Sequence, residues 1–102
     1  LKIIRNSAVI VISHRGNLRG PNKKRENHPS YIKSALKECD FVEVDLWIKD
    51  GFAKTGHDHG QYDLDVSLLR EDKIIWHAKN LEALKFLKHN DLHYFFHDSD
   101  TL

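Results

Sequence analysis

The chain has 102 residues, a formal net charge of +1, 40% apolar and 30% charged residues, which is the composition of one globular domain spanning 1–102. So small a charge gives no general case for a nucleic-acid or membrane partner, and no apolar run approaches the ~20 residues of a membrane span. Cys39 is the single cysteine, which excludes an internal disulfide and suits a reducing, cytoplasmic compartment. Eight histidines are unusual and suggest proton transfer or metal ligation.

The hydrophobic pattern predicts alternating strands and helices. Pro29 suits the first turn of a helix, Asp50-Gly51 indicates a tight hairpin turn, and Asn80 suits an N-cap. The predicted elements are, in chain order, strand 8–13, helix 29–38, strand 41–48, hairpin arm 52–56, a helical turn at 66–69, strand 73–78, helix 81–89 and strand 92–96. This order is typical of an α/β fold with four parallel strands, two main helices and right-handed crossovers.

The strand at 41–48 carries acidic residues in alternation with apolar ones. Successive side chains of a strand point to opposite faces, so Glu43 and Asp45 share one face while Val42, Val44 and Leu46 share the other. Two carboxylates held this close favour a hard divalent cation between them, since Mg²⁺ and Ca²⁺ prefer carboxylate oxygens. The alternative is a solvated strand face with two surface acids.

Ionisable residues follow the ends of the predicted strands. The carboxyl ends of parallel strands form a common rim in α/β folds, so residues distant in sequence meet there. These residue types suit the cleavage of a phosphodiester. Carboxylates can hold a divalent cation, an arginine can bind the phosphate, and two histidines can act as general base and general acid. The residues at these ends are His14, Arg15, Glu43, Asp45, His57, His77, Lys79, His97 and Asp98.

Short motifs over residues 8–60 resemble the glycerophosphodiester phosphodiesterase family, within the phosphatidylinositol-phospholipase-C-like TIM barrels. Each motif alone is weak, but together they stand in the family's order and at plausible spacing. The resemblance implies a hydrolase of lipid metabolism that acts on a small phosphodiester, with a substrate hydroxyl as the first nucleophile. The motifs are His14-Arg15-Gly16, Glu26-Asn27, Glu43-x-Asp45, Lys49-Asp50-Gly51 and His57-Asp58.

The resemblance also implies a role for each matching residue. His14 and His57 would be the general acid–base pair, and Arg15 would contact the phosphate. The metal would lie on Glu43 and Asp45. The two supporting residues are Glu26, which would hold the arginine or support the metal, and Asn27, which would brace the loop.

The chain departs from the family pattern at its later strand. The family has a metal-binding glutamate there, followed two residues on by a lysine, whereas this chain has His77 and Lys79. Alternation puts both on one face, as the family's roles require. The resemblance therefore implies that Lys79 binds the phosphate and that His77 binds the metal or, alternatively, touches the substrate. Mg²⁺ or Ca²⁺ is the expected cofactor, with Mn²⁺ or Zn²⁺ as the alternative if His77 is a ligand, because imidazole suits the latter ions better.

The length predicts an incomplete barrel. A (βα)-barrel of the TIM type takes about 250 residues, and about four strands and two helices are predicted here. The absence of methionine and the end just after an apolar run indicate the N-terminal part of a longer barrel. The alternative is a natural short form in which a second copy of the chain completes the open barrel.

Three functions follow from these patterns. The first is a metal-dependent phosphodiesterase acting by His14 and His57. The second is a phosphate- or sugar-phosphate-binding module that has weak turnover or none, which the histidine at position 77 favours. The third, nucleic-acid binding through the basic loop at 19–25, is disfavoured because short basic loops are commonly just solvated. Trp47 and Trp76 are interpreted as core residues, with substrate stacking as the alternative.

Overall fold

The computed structural model describes residues 2–5, 8–20 and 22–97. These residues form strands β1 (Lys2–Arg5), β2 (Ala8–His14), β3 (Phe41–Lys49), β4 (Phe52–Thr55), β5 (Tyr62–Asp63), β6 (Ile74–Ala78) and β7 (Tyr94–Phe95). Two α-helices, α1 (Pro29–Leu36) and α2 (Leu81–His89), and a 3₁₀ helix (Val66–Arg70) complete the described part.

Strand β3 is the centre of the sheet. Strand β6 runs parallel along one of its edges, from Val42 to Leu46. The other edge is shared: β2 pairs in parallel with the first residues of β3, and β4 pairs antiparallel with the last four. Strands β1 and β5 extend the sheet antiparallel to β2 and β4, and β7 pairs in parallel with β6.

The predicted shortened TIM-type barrel with parallel strands is wrong. The structure is an open mixed sheet, in which three strand pairings are parallel and three are antiparallel. The four predicted strands do run parallel to one another as β2, β3, β6 and β7. However, β1 pairs antiparallel with β2, and β4 pairs antiparallel with the part of β3 that extends past β2. The parallel strands are therefore flanked by antiparallel ones.

The two faces of β3 have different surroundings. Val42, Val44 and Leu46 are fully buried in the hydrophobic core, together with Ile74, Trp76 and Ala78 of β6. Both helices pack against this face through Ile32, Ala35, Ala83 and Leu87. Among the described residues, no helix has the length and apolar content needed to cross a membrane.

Two local signals position the elements around β3. Asp50 and Gly51 both have positive φ, 52° and 82°, which is the two-residue type I′ turn expected between β3 and β4. The Asn80 side chain caps α2, where Oδ1 accepts from Ala83 N at 3.0 Å, and it also bonds the end of β3. Its Oδ1 accepts from Ile48 N and its Nδ2 donates to Ile48 O, at 3.3 and 2.8 Å.

We predict that Asn80→Ala lowers the free energy of unfolding by about 2 kcal/mol, because it removes a helix cap and two bonds to a strand end. Urea denaturation measures the loss. Asn90→Ala is the matched control, since that side chain makes one exposed bond, to Phe86 O. Equal losses in the two variants would contradict the assigned role of Asn80.

Candidate functional site

A sharp turn at the end of β2 brings an arginine back over the sheet. Arg15 and Gly16 both have positive φ, 59° and 85°, and Arg15 N donates to Glu43 O at 2.8 Å. A Cβ at Gly16 would lie 3.0 Å from the Tyr31 ring and 3.2 Å from Ile32 N, so the start of α1 packs tightly on this turn. The side chain of Arg15 is thereby held at the polar face of β3.

Asp45 is the centre of the polar face, with 2% of its surface exposed. Its Oδ1 accepts from His77 Nδ1 at 3.0 Å, and its Oδ2 accepts from Asn27 Nδ2 at 2.9 Å. Arg15 Nε lies 3.0 Å from Oδ2 in an ion pair that is not aligned as a hydrogen bond. A buried carboxylate needs such partners, because burial without them is costly.

These contacts keep Asp45 ionised. Burial by itself raises the pKa of the carboxyl group, but the hydrogen bonds from His77 and Asn27 and the charge of Arg15 outweigh it. The net pKa therefore lies below the ordinary value of 3.8.

Asn27 joins the long loop, which connects β2 to α1, to the site. It is fully buried with a φ of 66°, and its Oδ1 accepts from Asp45 N at 2.9 Å, which complements the bond from its Nδ2. Its backbone N donates to Arg15 O at 3.0 Å, and its O accepts from Thr55 Oγ1 at 2.7 Å. The loop is thus attached to β3, to β4 and to the turn after β2. No motif in the sequence marks Thr55 for this role.

Glu26 holds the other end of the arginine. The Glu26 residue is 6% exposed. Its Oε2 accepts from Arg15 Nη1 at 3.3 Å, and its Oε1 accepts from Asn17 Nδ2 at 3.1 Å. Arg15 therefore lies between the carboxylates of Glu26 and Asp45. The sequence carries no signal for Asn17, because it is a polar loop residue outside any motif.

Both predicted catalytic histidines face carboxylates of β3. His14 Nε2 lies 3.8 Å from Glu43 Oε2, and His57 Nδ1 lies 3.6 Å from Asp45 Oδ2. Neither distance is a hydrogen bond, and His57 Nδ1 is buried without a hydrogen-bond partner in the described structure. Burial, followed by the charge of Arg15, lowers the pKa of His14 below 6.5.

The later-strand residues take separate positions. His77 bonds Asp45, stacks on Phe95 with ring centroids 4.6 Å apart and meets His97 edge-on at 4.8 Å. The Lys79 ammonium lies 5.9 Å from the centroid of the Trp47 ring. Asp98, which was also expected at this rim, is outside the described residues.

The side chains as placed do not fit the predicted metal site. Both oxygens of Asp45 accept hydrogen bonds, and the Arg15 guanidinium supplies positive charge at this carboxylate. In the part of the chain that the structure describes, no three His, Cys, Asp or Glu side chains are grouped to hold a metal ion. The Mg²⁺, Ca²⁺, Mn²⁺ or Zn²⁺ expected on Glu43, Asp45 and His77 stays a prediction, and no chemical step is derived through it.

Comparison with protein-family models, curated proteins and solved structures finds no match for this chain. The resemblance to the phosphodiesterase family therefore depends on the short motifs alone.

We predict that Asp45→Asn lowers the free energy of unfolding at pH 7 by about 3 kcal/mol, because it leaves Arg15 without one of its two carboxylates in a buried site. The folded pKa of Asp45 lies below 3.8, so its contribution is present above that pH and lost as the pH falls through the folded pKa. Denaturation at several pH values should show the two proteins converging below pH 3.8.

The control is Asp63→Asn, since the Asp63 side chain is 92% exposed and, among the described residues, forms an ion pair with Lys54 alone. It should show no measurable loss at pH 7. A constant difference between wild type and Asp45→Asn down to the lowest pH at which both fold would contradict the account of Asp45.

We also predict that millimolar Mg²⁺ or Ca²⁺ leaves the melting temperature of the wild type unchanged but raises that of Arg15→Gln. Removing the guanidinium leaves Glu26 and Asp45 without their shared cation, and a divalent ion would then be stabilising. Arg70→Gln, at the end of the 3₁₀ helix, is the control. A rise of several degrees in the wild type would show that the arginine does not replace a metal.

Proposed function

We propose that the chain binds the phosphate of a small phosphodiester, such as a glycerophosphodiester, at Arg15 and cleaves it by general acid–base catalysis through His14 and His57. The observation that carries the proposal is the convergence of two histidines and one arginine on neighbouring carboxylates of the same face of β3. Such a set offers both a phosphate ligand and two imidazoles that can transfer protons.

Arg15 is suited to hold the phosphate because its position is fixed from two sides. Its Nε faces Asp45 and its Nη1 faces Glu26, while Nη2 makes no hydrogen bond or ion pair with the described residues. A guanidinium presents its N–H groups in a rigid fork that matches phosphate oxygens. The two carboxylates orient this fork, and they also reduce the net positive charge that reaches the substrate.

The histidines divide the proton transfers. The lowered pKa of His14 keeps its imidazole neutral near pH 7, which suits the general base that takes the proton of the attacking hydroxyl. A new P–O bond forms to that oxygen as the bond to the leaving oxygen breaks. His57, in its protonated form, gives a proton to the leaving alcohol, and Asp45 orients its ring from 3.6 Å.

A phosphate-binding module without turnover is the second candidate. It is favoured by His77. The family that the motifs resemble has an acidic metal ligand at this position, whereas His77 is hydrogen-bonded to Asp45. The same arginine would bind the phosphate in this case, but the histidines would have no catalytic part.

We predict that His14→Ala and His57→Ala each lower kcat for hydrolysis of a glycerophosphodiester by about 10²–10⁴-fold, because each removes one proton transfer. Release of the free alcohol measures the rate. His89→Ala, at the exposed end of α2, is the control and should keep the wild-type rate.

Near wild-type rates in both histidine variants would overturn the catalytic assignment. Calorimetry with glycerol phosphate separates the second candidate. If the wild type does not hydrolyse the diester but binds glycerol phosphate, and Arg15→Gln abolishes that binding, the chain is a binding module.

A further inference from the structure

Thr55 is a fully buried polar residue to which the proposed reaction assigns no role. It is the last residue of β4 and stands two positions before His57. Its Oγ1 donates to the backbone O of Asn27 at 2.7 Å. A buried hydroxyl needs a hydrogen-bond partner, and the choice of this carbonyl links two segments that carry different parts of the candidate site.

On one side of this hydrogen bond lies the loop that positions the phosphate ligand. Asn27 N donates to Arg15 O at 3.0 Å, and the Asn27 side chain makes two bonds of 2.9 Å to Asp45. The φ of Asn27 is 66°, in the left-handed region, which a residue other than glycine keeps only where the surrounding contacts hold it. The bond from Thr55 is one of these contacts.

On the other side lies the turn that carries the proposed proton donor. Gly56 N donates to Asp45 O at 3.2 Å, and Gln61 N donates to Thr55 O at 2.9 Å, so the loop of residues 56–60 is closed at its base. His57 follows directly after Gly56. The end of β4 therefore sets where the imidazole stands relative to the sheet.

The carboxylate of Asp45 touches both sides but aligns neither with the other. It lies 3.6 Å from His57 Nδ1, which is too long for a hydrogen bond, and its 3.0 Å contact with Arg15 Nε is not aligned as one. The bond from Thr55 to Asn27 is short, buried and directional. It is thus better suited than the carboxylate to hold the loop and the end of β4 in register.

We propose that Thr55 is a positioning residue for the proposed reaction. Its hydroxyl holds the loop that carries Arg15 in register with the strand end that carries His57. It acts through Asn27 on the first side and through the backbone of Gly56 on the second. The inference rests on the proposed function, since it concerns how the phosphate ligand and the proton donor are placed relative to each other in that site.

This register matters for proton transfer more than for phosphate binding. Arg15 is held by Glu26 as well as by Asp45, so a phosphate keeps its ligand if β4 shifts. Proton transfer, by contrast, needs the imidazole within hydrogen-bond reach of the leaving oxygen, and a misplacement of about 1 Å can cost on the order of 10²-fold in rate. Loss of the hydroxyl should therefore lower kcat and leave the affinity for phosphate.

Two pairs of proteins isolate the hydroxyl. Thr55→Val differs from the wild type by the hydroxyl at nearly constant side-chain size. Thr55→Ala and Thr55→Ser both lack the methyl group, and only Thr55→Ser keeps the hydroxyl, so this second pair decides the question if Thr55→Val does not fold. Release of the alcohol from a glycerophosphodiester gives kcat, calorimetry gives the dissociation constant for glycerol phosphate, and circular dichroism checks the fold.

We expect Thr55→Val to lower kcat at least about tenfold relative to the wild type, and Thr55→Ala to do the same relative to Thr55→Ser. The dissociation constant for glycerol phosphate should stay within about twofold in each pair. A purely structural hydroxyl would lower the melting temperature but leave kcat per folded molecule unchanged.

Tyr62→Phe is the matched control. Tyr62 also joins the loop to the sheet through a hydroxyl, which donates to Lys24 O at 2.9 Å, but this bond is exposed and lies three residues before Asn27. The variant should keep the kcat of the wild type.

Equal kcat within either folded pair would overturn the proposal. So would an equal loss in Tyr62→Phe, since any attachment of the loop would then suffice, or a loss of glycerol phosphate affinity as large as the loss of kcat. The wild-type rate tests the proposed function separately. A wild type that hydrolyses no diester refutes the reaction and the role of Thr55 together, whereas a hydrolysing wild type with an equally fast Thr55→Val refutes the role of Thr55 alone.

Discussion

The buried carboxylate of Asp45 is the interaction on which the polar half of the structure depends. It lies on the central strand with 2% exposure, where an unpaired charge would be strongly destabilising. Three different segments of the chain supply the partners that compensate this charge, namely Arg15, Asn27 and His77. The turn after β2, the long loop and β6 are therefore held against β3 by the same group that defines the candidate site.

The charge balance at this carboxylate also limits what the site can do. Arg15 is shared between Asp45 and Glu26, so one guanidinium is fixed in place while its charge is largely balanced by the protein. A phosphate would be recognised through the geometry of the remaining N–H groups more than through net charge. The same balance explains why two acidic residues on one strand face need not indicate a metal.

The two faces of β3 separate the hydrophobic core from the candidate site. Residues 42, 44 and 46 pack into the apolar core under the helices, whereas Glu43 and Asp45 face the two histidines and Arg15. Asp45 lies on the polar face but is only 2% exposed, so it is buried as deeply as the core residues.

Local pattern in the sequence by itself determined the two helices, with the end of the first predicted two residues too late, the Asp50-Gly51 hairpin and the two faces of β3. These features depend on periodicity and turn chemistry within a few residues. Only the tertiary structure decided that the sheet is open and mixed, since β1 and β5 are short and their pairing depends on distant partners. It also decided that Arg15 pairs with Asp45, because motif order shows which residues meet but not which charges neutralise each other.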